Sequence, residues 1–204
     1  MKKQIQIYTD YVCPYCLLAD HVINKVIQGL DVEIKWRPFE LRPAPVPTLR
    51  TEDRYLPEIW ERSVYPMAAK LGVALKLPEI SPQPRTDKAF QVFALAEQVG
   101  LGDEFSVAVM KAFFQQERDI GEPDVLADIA SQIGMERNEV LEVLSNGTYL
   151  EHHQTALKHA VEEARILFCS NYLCWFTKVL RRPRPDRAKT RDRSVGRNKG
   201  LNRH

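Results

Sequence analysis

The chain has 204 residues, 44% of them hydrophobic, which is enough to bury the core of one domain or of one domain with an insertion. It contains no run of about 18 apolar residues, so the composition excludes a membrane-spanning helix. The formal net charge of +2 hides an asymmetry, because residues 181–204 hold ten Lys and Arg against two Asp and Glu. We interpret the chain as an acidic globular body followed by a basic tail.

The N-terminal residues predict a strand, a helix and a second strand. Residues 4–8 are typical of a strand, and the broad apolar face of residues 14–28 predicts a helix that Gly29 ends. Strict alternation over residues 32–36 predicts a half-buried edge strand. This order predicts a right-handed βαβ unit with parallel strands, in which functional sites lie at the C-terminal strand ends.

Two cysteines lie at the turn between the first strand and the helix, in the motif Cys13-Pro14-Tyr15-Cys16. Pro14 suits the first helical position, so Cys13 is expected at the helix N-terminus, where unpaired N–H groups and the helix dipole favour a thiolate. Cys16 follows one turn later on the same face, within reach of a bond to Cys13. We predict a redox pair in which the accessible Cys13, with a depressed pKa, attacks and the buried Cys16 resolves.

Zinc binding and an inert pair are the alternatives for these cysteines. Zinc needs four ligands and usually a second close pair, whereas Cys169 and Cys174 are distant and lie five positions apart. We therefore expect no metal site. The strand–turn–helix context is the one that a thioredoxin-like redox motif needs, which favours redox chemistry over an inert pair. Cys169 and Cys174 are expected to be free thiols, with a second functional disulfide as the alternative.

A proline-rich loop over residues 38–47 precedes a helical region. Breakers separate predicted helices over residues 52–71, 85–99, 103–116, 123–134 and 136–145. We expect five phenylalanines to lie in the core or line a cleft: Phe90, Phe93, Phe105, Phe113 and Phe114. Residues 149–165 predict one more helix, whose histidines we expect to be solvated: His152, His153 and His159.

The cysteine motif resembles the active site of the DsbA-like branch of the thioredoxin superfamily. Residues 36–41, 112–114, 118–121 and 124–126 are similar to its FrnE-like subgroup, and the likeness runs from about residue 2 to residue 165. The resemblance implies an α/β, thioredoxin-like fold with an inserted all-helical domain at residues 49–148, after a thioredoxin-like βαβ half at residues 1–48. It also implies that five residues flank the cysteines or contact the substrate: Val12, Pro14, Tyr15, Phe39 and Glu40.

The resemblance stops after residue 165. The subgroup has a cis-proline loop beside the cysteines, then two antiparallel strands and a helix, but this chain has no proline between Pro123 and Pro183. We assign residues 149–180 to a helix that returns to the thioredoxin-like domain and to an altered C-terminal part, with the strands and cis-proline loop missing or replaced. Residues 181–204 are predicted to be a disordered basic tail. A change of reading frame near residue 166 would explain the break.

The resemblance implies a thiol–disulfide oxidoreductase that acts on protein or small-molecule thiols and disulfides. Such an enzyme requires no cofactor, and glutathione stays open as a co-substrate. We expect no membrane or nucleic-acid partner, and the lack of a signal-peptide pattern after Lys3 favours the cytoplasm.

Two alternative functions stay open. One is a glutathione-dependent isomerase or transferase of the 2-hydroxychromene-2-carboxylate isomerase type, whose members typically carry serine in place of the first cysteine. The other is an impaired, truncated or frameshifted family member. The physiological substrate, the direction of exchange and the oligomeric state stay open as well.

Overall fold

The computed structural model of the chain describes residues 3–163 and 177–179. Over these residues the chain forms eight α-helices and a three-stranded sheet of order β2-β1-β3. Cys169, Cys174, the predicted tail at residues 181–204 and most of the altered C-terminal part lie outside the described residues. The predictions for them, and the proposed boundaries between the four parts of the chain, therefore stay predictions.

The N-terminal unit consists of β1 (Lys3–Thr9), α1 (Pro14–Val26) and β2 (Val32–Pro38). The two strands pair in parallel over their whole length, as predicted. α1 ends two residues earlier than predicted, and Gly29 follows with a φ of +76°, a left-handed conformation that lacks a steric cost only in glycine. The C-terminal ends of both strands and the start of α1 therefore lie at one edge of the sheet.

A short third strand, β3 (Thr177–Val179), pairs antiparallel with β1 on the side opposite β2. Residue 5 of β1 faces residue 179, and residue 7 faces residue 177. β1 is therefore the central strand of the described sheet. We expected the C-terminal strands to be missing or replaced. The structure has one antiparallel strand at this position, so at least one strand is present there.

The helical insertion follows the predicted pattern. Tyr55–Ile59 (α2) and Tyr65–Leu71 (α3) are joined through a π-helical turn at Trp60–Val64, so the predicted helix over residues 52–71 is one helix with a local widening. The other helices of the insertion are α4 (Asp87–Gln98), α5 (Gly102–Gln116), α6 (Pro123–Gln132) and α7 (Arg137–Asn146). The last described helix, α8 (Leu150–Glu163), returns to the sheet and contacts β2.

One buried core joins the sheet, α1 and the insertion. Ile7 of β1, Leu17 of α1 and Trp36 of β2 belong to the same apolar cluster as the helical residues. The five phenylalanines predicted to pack are all buried, which confirms that prediction: Phe90, Phe93, Phe105, Phe113 and Phe114. Because this cluster is continuous, the insertion packs directly against the domain that carries the cysteines.

Candidate active site

The redox turn, residues 10–16, connects β1 to α1. Cys13 is the N-cap residue of α1, with extended backbone angles of φ −94° and ψ 110°, and Pro14 follows in the first turn. The backbone N–H of Cys13 donates to the carbonyl oxygen of Asp10 at 3.0 Å, and the N–H of Cys16 donates to the carbonyl oxygen of Cys13 at 3.0 Å. The turn therefore places both cysteines at the start of the helix, as predicted.

The two cysteines are free thiols whose side chains hydrogen-bond to each other. Cys16 is only 8% exposed and belongs to the buried core, whereas Cys13 is half-buried. The difference follows from the helix geometry, because Cys16 lies on the inner face of α1 and Cys13 lies at its end. Cys13 is therefore the thiol that a substrate can approach.

The shared hydrogen bond shifts the pKa values of the two cysteines in opposite directions. It raises the pKa of Cys13 well above the ordinary thiol value, and burial adds to that rise. The same hydrogen bond lowers the pKa of Cys16, assisted by a bond from the backbone N–H of Asp10 and opposed by burial. The prediction of a depressed Cys13 pKa is therefore wrong for the free pair, because Cys13 donates its proton to Cys16. In the free pair, the lower pKa therefore belongs to Cys16 and the higher pKa to Cys13.

Of the residues predicted to flank the cysteines, Tyr15 lies within the redox turn and Phe39 lies beside it. The Tyr15 hydroxyl donates to the Ser63 hydroxyl at 2.8 Å and so ties α1 to the π-helical turn of the insertion. The backbone N–H of Phe39 donates to the carbonyl oxygen of Thr9 at 3.0 Å. The loop after β2 is thereby held beside the end of β1. Contact of either residue with a substrate stays a prediction.

Val12 and Glu40 line one small cavity of about 60 Å³ beside the redox turn. Asp10 and Thr86 form part of the same wall. Glu40 is buried, and its carboxylate lies 2.6 Å from Nε2 of the equally buried His153. Two buried carboxyl groups, those of Asp10 and Glu40, therefore line this cavity beside the redox turn. The Glu40 carboxylate faces the protein interior.

Asp10 is a residue of the site that the sequence analysis did not single out. Its carboxyl group is buried, and it accepts hydrogen bonds from the Leu41 backbone N–H at 2.7 Å and from the Thr86 hydroxyl at 2.9 Å. Burial raises the pKa of Asp10 to about 6, although these hydrogen bonds oppose the rise. Its position at the C-terminal end of a strand, directly before a cysteine motif, is the signal that could have identified it.

His153 was expected to be solvated, and this prediction is wrong. The side chain is 2% exposed, accepts or donates one hydrogen bond with Glu40, and stacks on Phe90 at a ring-centroid distance of 5.3 Å. His153 lies seven positions before the buried Ala160, so both occupy the inner face of α8. His152 and His159 lie outside this face and are exposed, as predicted.

No group of three or more His, Cys, Asp and Glu side chains in residues 3–163 and 177–179 is arranged to hold a metal ion. Among the helices described there, none has the length and apolarity needed to cross a membrane.

A helix that begins at a dithiol turn, follows the central strand and packs against a helical insertion defines a thioredoxin-like protein of the DsbA-like class. The model of the DSBA-like thioredoxin domain matches residues 4–164, and the chain therefore belongs to this family. The predicted resemblance and the predicted fold class are confirmed.

A relative from Bacillus subtilis (strain 168), the uncharacterized protein YwbO, is 41% identical over 180 residues, which cover 88% of this chain and 90% of YwbO. An alignment of that length in a chain of 204 residues continues to residue 180 or beyond wherever it begins. The similarity to this relative therefore extends past residue 165, where the sequence was expected to diverge. This finding argues against a change of reading frame near residue 166.

Three solved structures share the fold. A probable DsbA oxidoreductase from Streptomyces coelicolor has a TM-score of 0.64 at 20% identity, covering 79% of this chain and 76% of that one. A 2-hydroxychromene-2-carboxylate isomerase has a TM-score of 0.63 at 15% identity, with coverage of 78% and 79%. The cytosolic disulfide reductase DsbM from Pseudomonas aeruginosa, solved with GSH, has a TM-score of 0.61 at 14% identity, with coverage of 81% and 83%. At these identities the likeness shows the fold alone.

Proposed function

We propose that the protein is a thiol–disulfide oxidoreductase that uses Cys13 as the attacking cysteine and Cys16 as the resolving cysteine. The observation that carries this proposal is a pair of free, mutually hydrogen-bonded thiols at the N-terminus of α1, with Cys13 the more exposed. Membership of the DsbA-like family supports it. The substrates are protein or small-molecule thiols and disulfides.

The hydrogen bond between the thiols supplies a route to the attacking thiolate. When the Cys13 proton moves along this bond to Cys16, Cys13 becomes the thiolate and Cys16 the thiol. The Cys13 thiolate then attacks one sulfur of a substrate disulfide, and the other substrate sulfur leaves as a thiolate. Cys16 gives its proton to that leaving thiolate and attacks the Cys13 sulfur, which releases the second substrate thiolate and forms the Cys13–Cys16 disulfide. The reverse sequence oxidises a substrate dithiol.

Glutathione fits this cycle as a co-substrate, because two glutathione molecules can reduce the Cys13–Cys16 disulfide again while they form glutathione disulfide. The fold shared with DsbM, which was solved with GSH, supports this part of the proposal. A cytoplasmic location agrees with it, since the cytoplasm supplies reduced glutathione. No further cofactor enters the exchange.

The test uses the matched variants Cys13→Ser and Cys16→Ser. We expect the wild type to reduce insulin with glutathione as electron donor, monitored through coupled glutathione reductase and NADPH, and both variants to lose turnover. Cys16→Ser should accumulate a mixed disulfide at Cys13 that mass spectrometry detects, whereas Cys13→Ser should not.

The same variants separate this function from the glutathione-dependent isomerase. That reaction needs glutathione to be bound and activated, and it has no step for a resolving thiol. Full isomerisation of 2-hydroxychromene-2-carboxylate by Cys16→Ser, together with no insulin reduction by the wild type, would overturn the proposal.

A further inference from the structure

The outer edge of β2 lies in a large cavity between β2, α1 and α5, which we call the edge groove. Its volume is about 720 Å³. The five consecutive residues 32–36 of β2 line it, and successive side chains of a strand point to opposite faces, so the groove follows the edge of the strand. All three elements contribute apolar side chains to its wall, among them Ile23, Ile27, Ile34, Trp36, Val107 and Ala108. Among the strands that the structure describes, β2 pairs only with β1, so its other edge can accept a further strand.

The backbone of β2 directs hydrogen-bonding groups into this groove. In a parallel ladder, the backbone groups of successive residues face opposite sides of the strand. The N–H of Phe39 donates to the carbonyl oxygen of Thr9 in β1 at 3.0 Å, and the register between the two strands is unbroken. Odd-numbered residues of β2 therefore face β1, and the backbone groups of Ile34 and Trp36 face the groove.

Carboxylates outnumber ammonium groups along the groove. The acidic side chains are those of Asp20, Glu33, Asp103 and Glu104, and the basic ones are those of Lys35 and Lys111. Nζ of Lys35 lies 2.8 Å from the Glu33 carboxylate. Burial raises the pKa of Asp103, and the charge of Glu104 adds to that rise, so these two carboxylates repel each other. The groove therefore suits an extended segment that carries positive charge.

Residues 187–193 of the basic tail have the matching pattern. They read Arg-Ala-Lys-Thr-Arg-Asp-Arg, with a basic residue at every second position. In an extended strand these basic side chains share one face. The segment contains no proline, so every residue in it has an N–H for pairing.

The position of β3 brings this segment within reach of the groove. β3 runs antiparallel to β1 with Val179 opposite Ile5, so the chain leaves the sheet at the end where β2 begins. A strand added outside β2 would lie three strand spacings, about 14 Å, from β3. Residues 180–186 can span about 23 Å, which is enough to reach it. The added segment would then run parallel to β2.

We propose that residues 187–193 bind in the edge groove as a strand added to β2. The segment pairs with the backbone of Ile34 and Trp36, and its basic side chains lie beside the carboxylates of Asp103 and Glu104. It has too few apolar residues to fold alone, but strand addition relies on main-chain hydrogen bonds, which do not need them. The inference concerns a contact within the chain and does not depend on the exchange chemistry proposed above.

A zero-length carbodiimide cross-link, which joins a lysine only to a carboxylate in contact with it, tests the location. Unlabelled and ¹⁵N-labelled full-length proteins are mixed and cross-linked, and mass spectrometry separates cross-links within one chain from those between two. We expect Lys189 to be joined to Asp103 or Glu104 of the same chain, and this product to fall about fivefold or more in about 0.5 M salt. Lys199, beyond the segment, is the internal control and should give little of it. The proposal is overturned if Lys189 gives no cross-link to a groove carboxylate, or gives one only between two chains.

Amide hydrogen exchange at Ile34 and Trp36, followed by NMR, tests the strand pairing itself. The variant replaces three basic residues of the segment: Lys189→Glu, Arg191→Glu and Arg193→Glu. The matched control makes the same change of charge beyond the segment: Arg197→Glu, Lys199→Glu and Arg203→Glu. We expect exchange at both amides to be about tenfold faster or more in the variant than in the wild type, and unchanged in the control. Equal exchange in all three proteins, or equal acceleration in both variants, would contradict the inference.

Discussion

The buried contact between Glu40 and His153 gives a sharp prediction about stability. We propose the variants His153→Phe, Glu40→Leu and the double variant. Phenylalanine keeps an aromatic ring against Phe90, so His153→Phe removes mainly the hydrogen bond and leaves a carboxylate buried without it. The unfolding free energy should fall by about 1–3 kcal/mol, the cost of leaving a buried polar group without its hydrogen bond. Glu40→Leu leaves the Nε2 atom of His153 without its partner and should cost a similar amount, about 1–3 kcal/mol.

The double variant distinguishes a true pair from two independent residues. Because replacing both partners with apolar groups of similar shape removes the stranded polar atoms, its cost should fall short of the sum of the single costs by about 1–3 kcal/mol. Urea unfolding at pH 7 measures all four proteins. The exposed pair Lys35 and Glu33, 2.8 Å apart with 40% of each side chain exposed, is the control and should show a coupling of no more than about 1 kcal/mol. Additive costs at Glu40 and His153 would refute the reasoning.

Three further predictions concern the redox turn. Asp10 has a pKa of about 6 in the folded protein and about 3.9 in the unfolded chain. Its contribution to stability is therefore fully present below about pH 4 and is lost as the pH rises through 6. Urea unfolding of the wild type and of Asp10→Asn should show about 3 kcal/mol of this pH dependence. Tyr15→Phe removes the 2.8 Å hydrogen bond to Ser63 and should lower the unfolding free energy by about 0.5–1.5 kcal/mol in the same assay. Phe90→Leu should speed Cys13 alkylation, measured by mass spectrometry, because Phe90 stacks on Tyr11 at 4.5 Å, whereas Phe105→Leu should not.

Local pattern was enough to predict most of the fold. The alternation over residues 32–36 predicts a strand, Gly72 predicts the end of a helix and Pro123 predicts the start of one. Each of these signals depends only on nearby residues, and the structure has β2, the end of α3 and the start of α6 at these positions. Pro14 likewise placed Cys13 correctly at the start of α1. The third strand was different, because pairing between residues 5 and 179 depends on contacts far apart in the sequence.

The site was predicted less completely, for a physical reason. The cysteines form a local motif, but Asp10 gains its role from Thr86, which is 76 positions away, and Glu40 gains its role from His153, which is 113 positions away. No periodicity in one segment reports such contacts. The pKa order of the cysteines was also missed, because it depends on which thiol donates the shared hydrogen bond.

The insertion holds the redox turn through hydrogen bonds to residues that lie before and after Cys13 in the sequence. Before the cysteine, the Tyr11 hydroxyl lies 3.1 Å from the Ser106 hydroxyl of α5, and Thr86 at the start of α4 donates to Asp10. After it, Tyr15 donates to Ser63. A change in the conformation of this turn would therefore break hydrogen bonds to the insertion. The electrostatic setting of the cysteines therefore comes from residues of the insertion and the loop after β2 as much as from the motif itself.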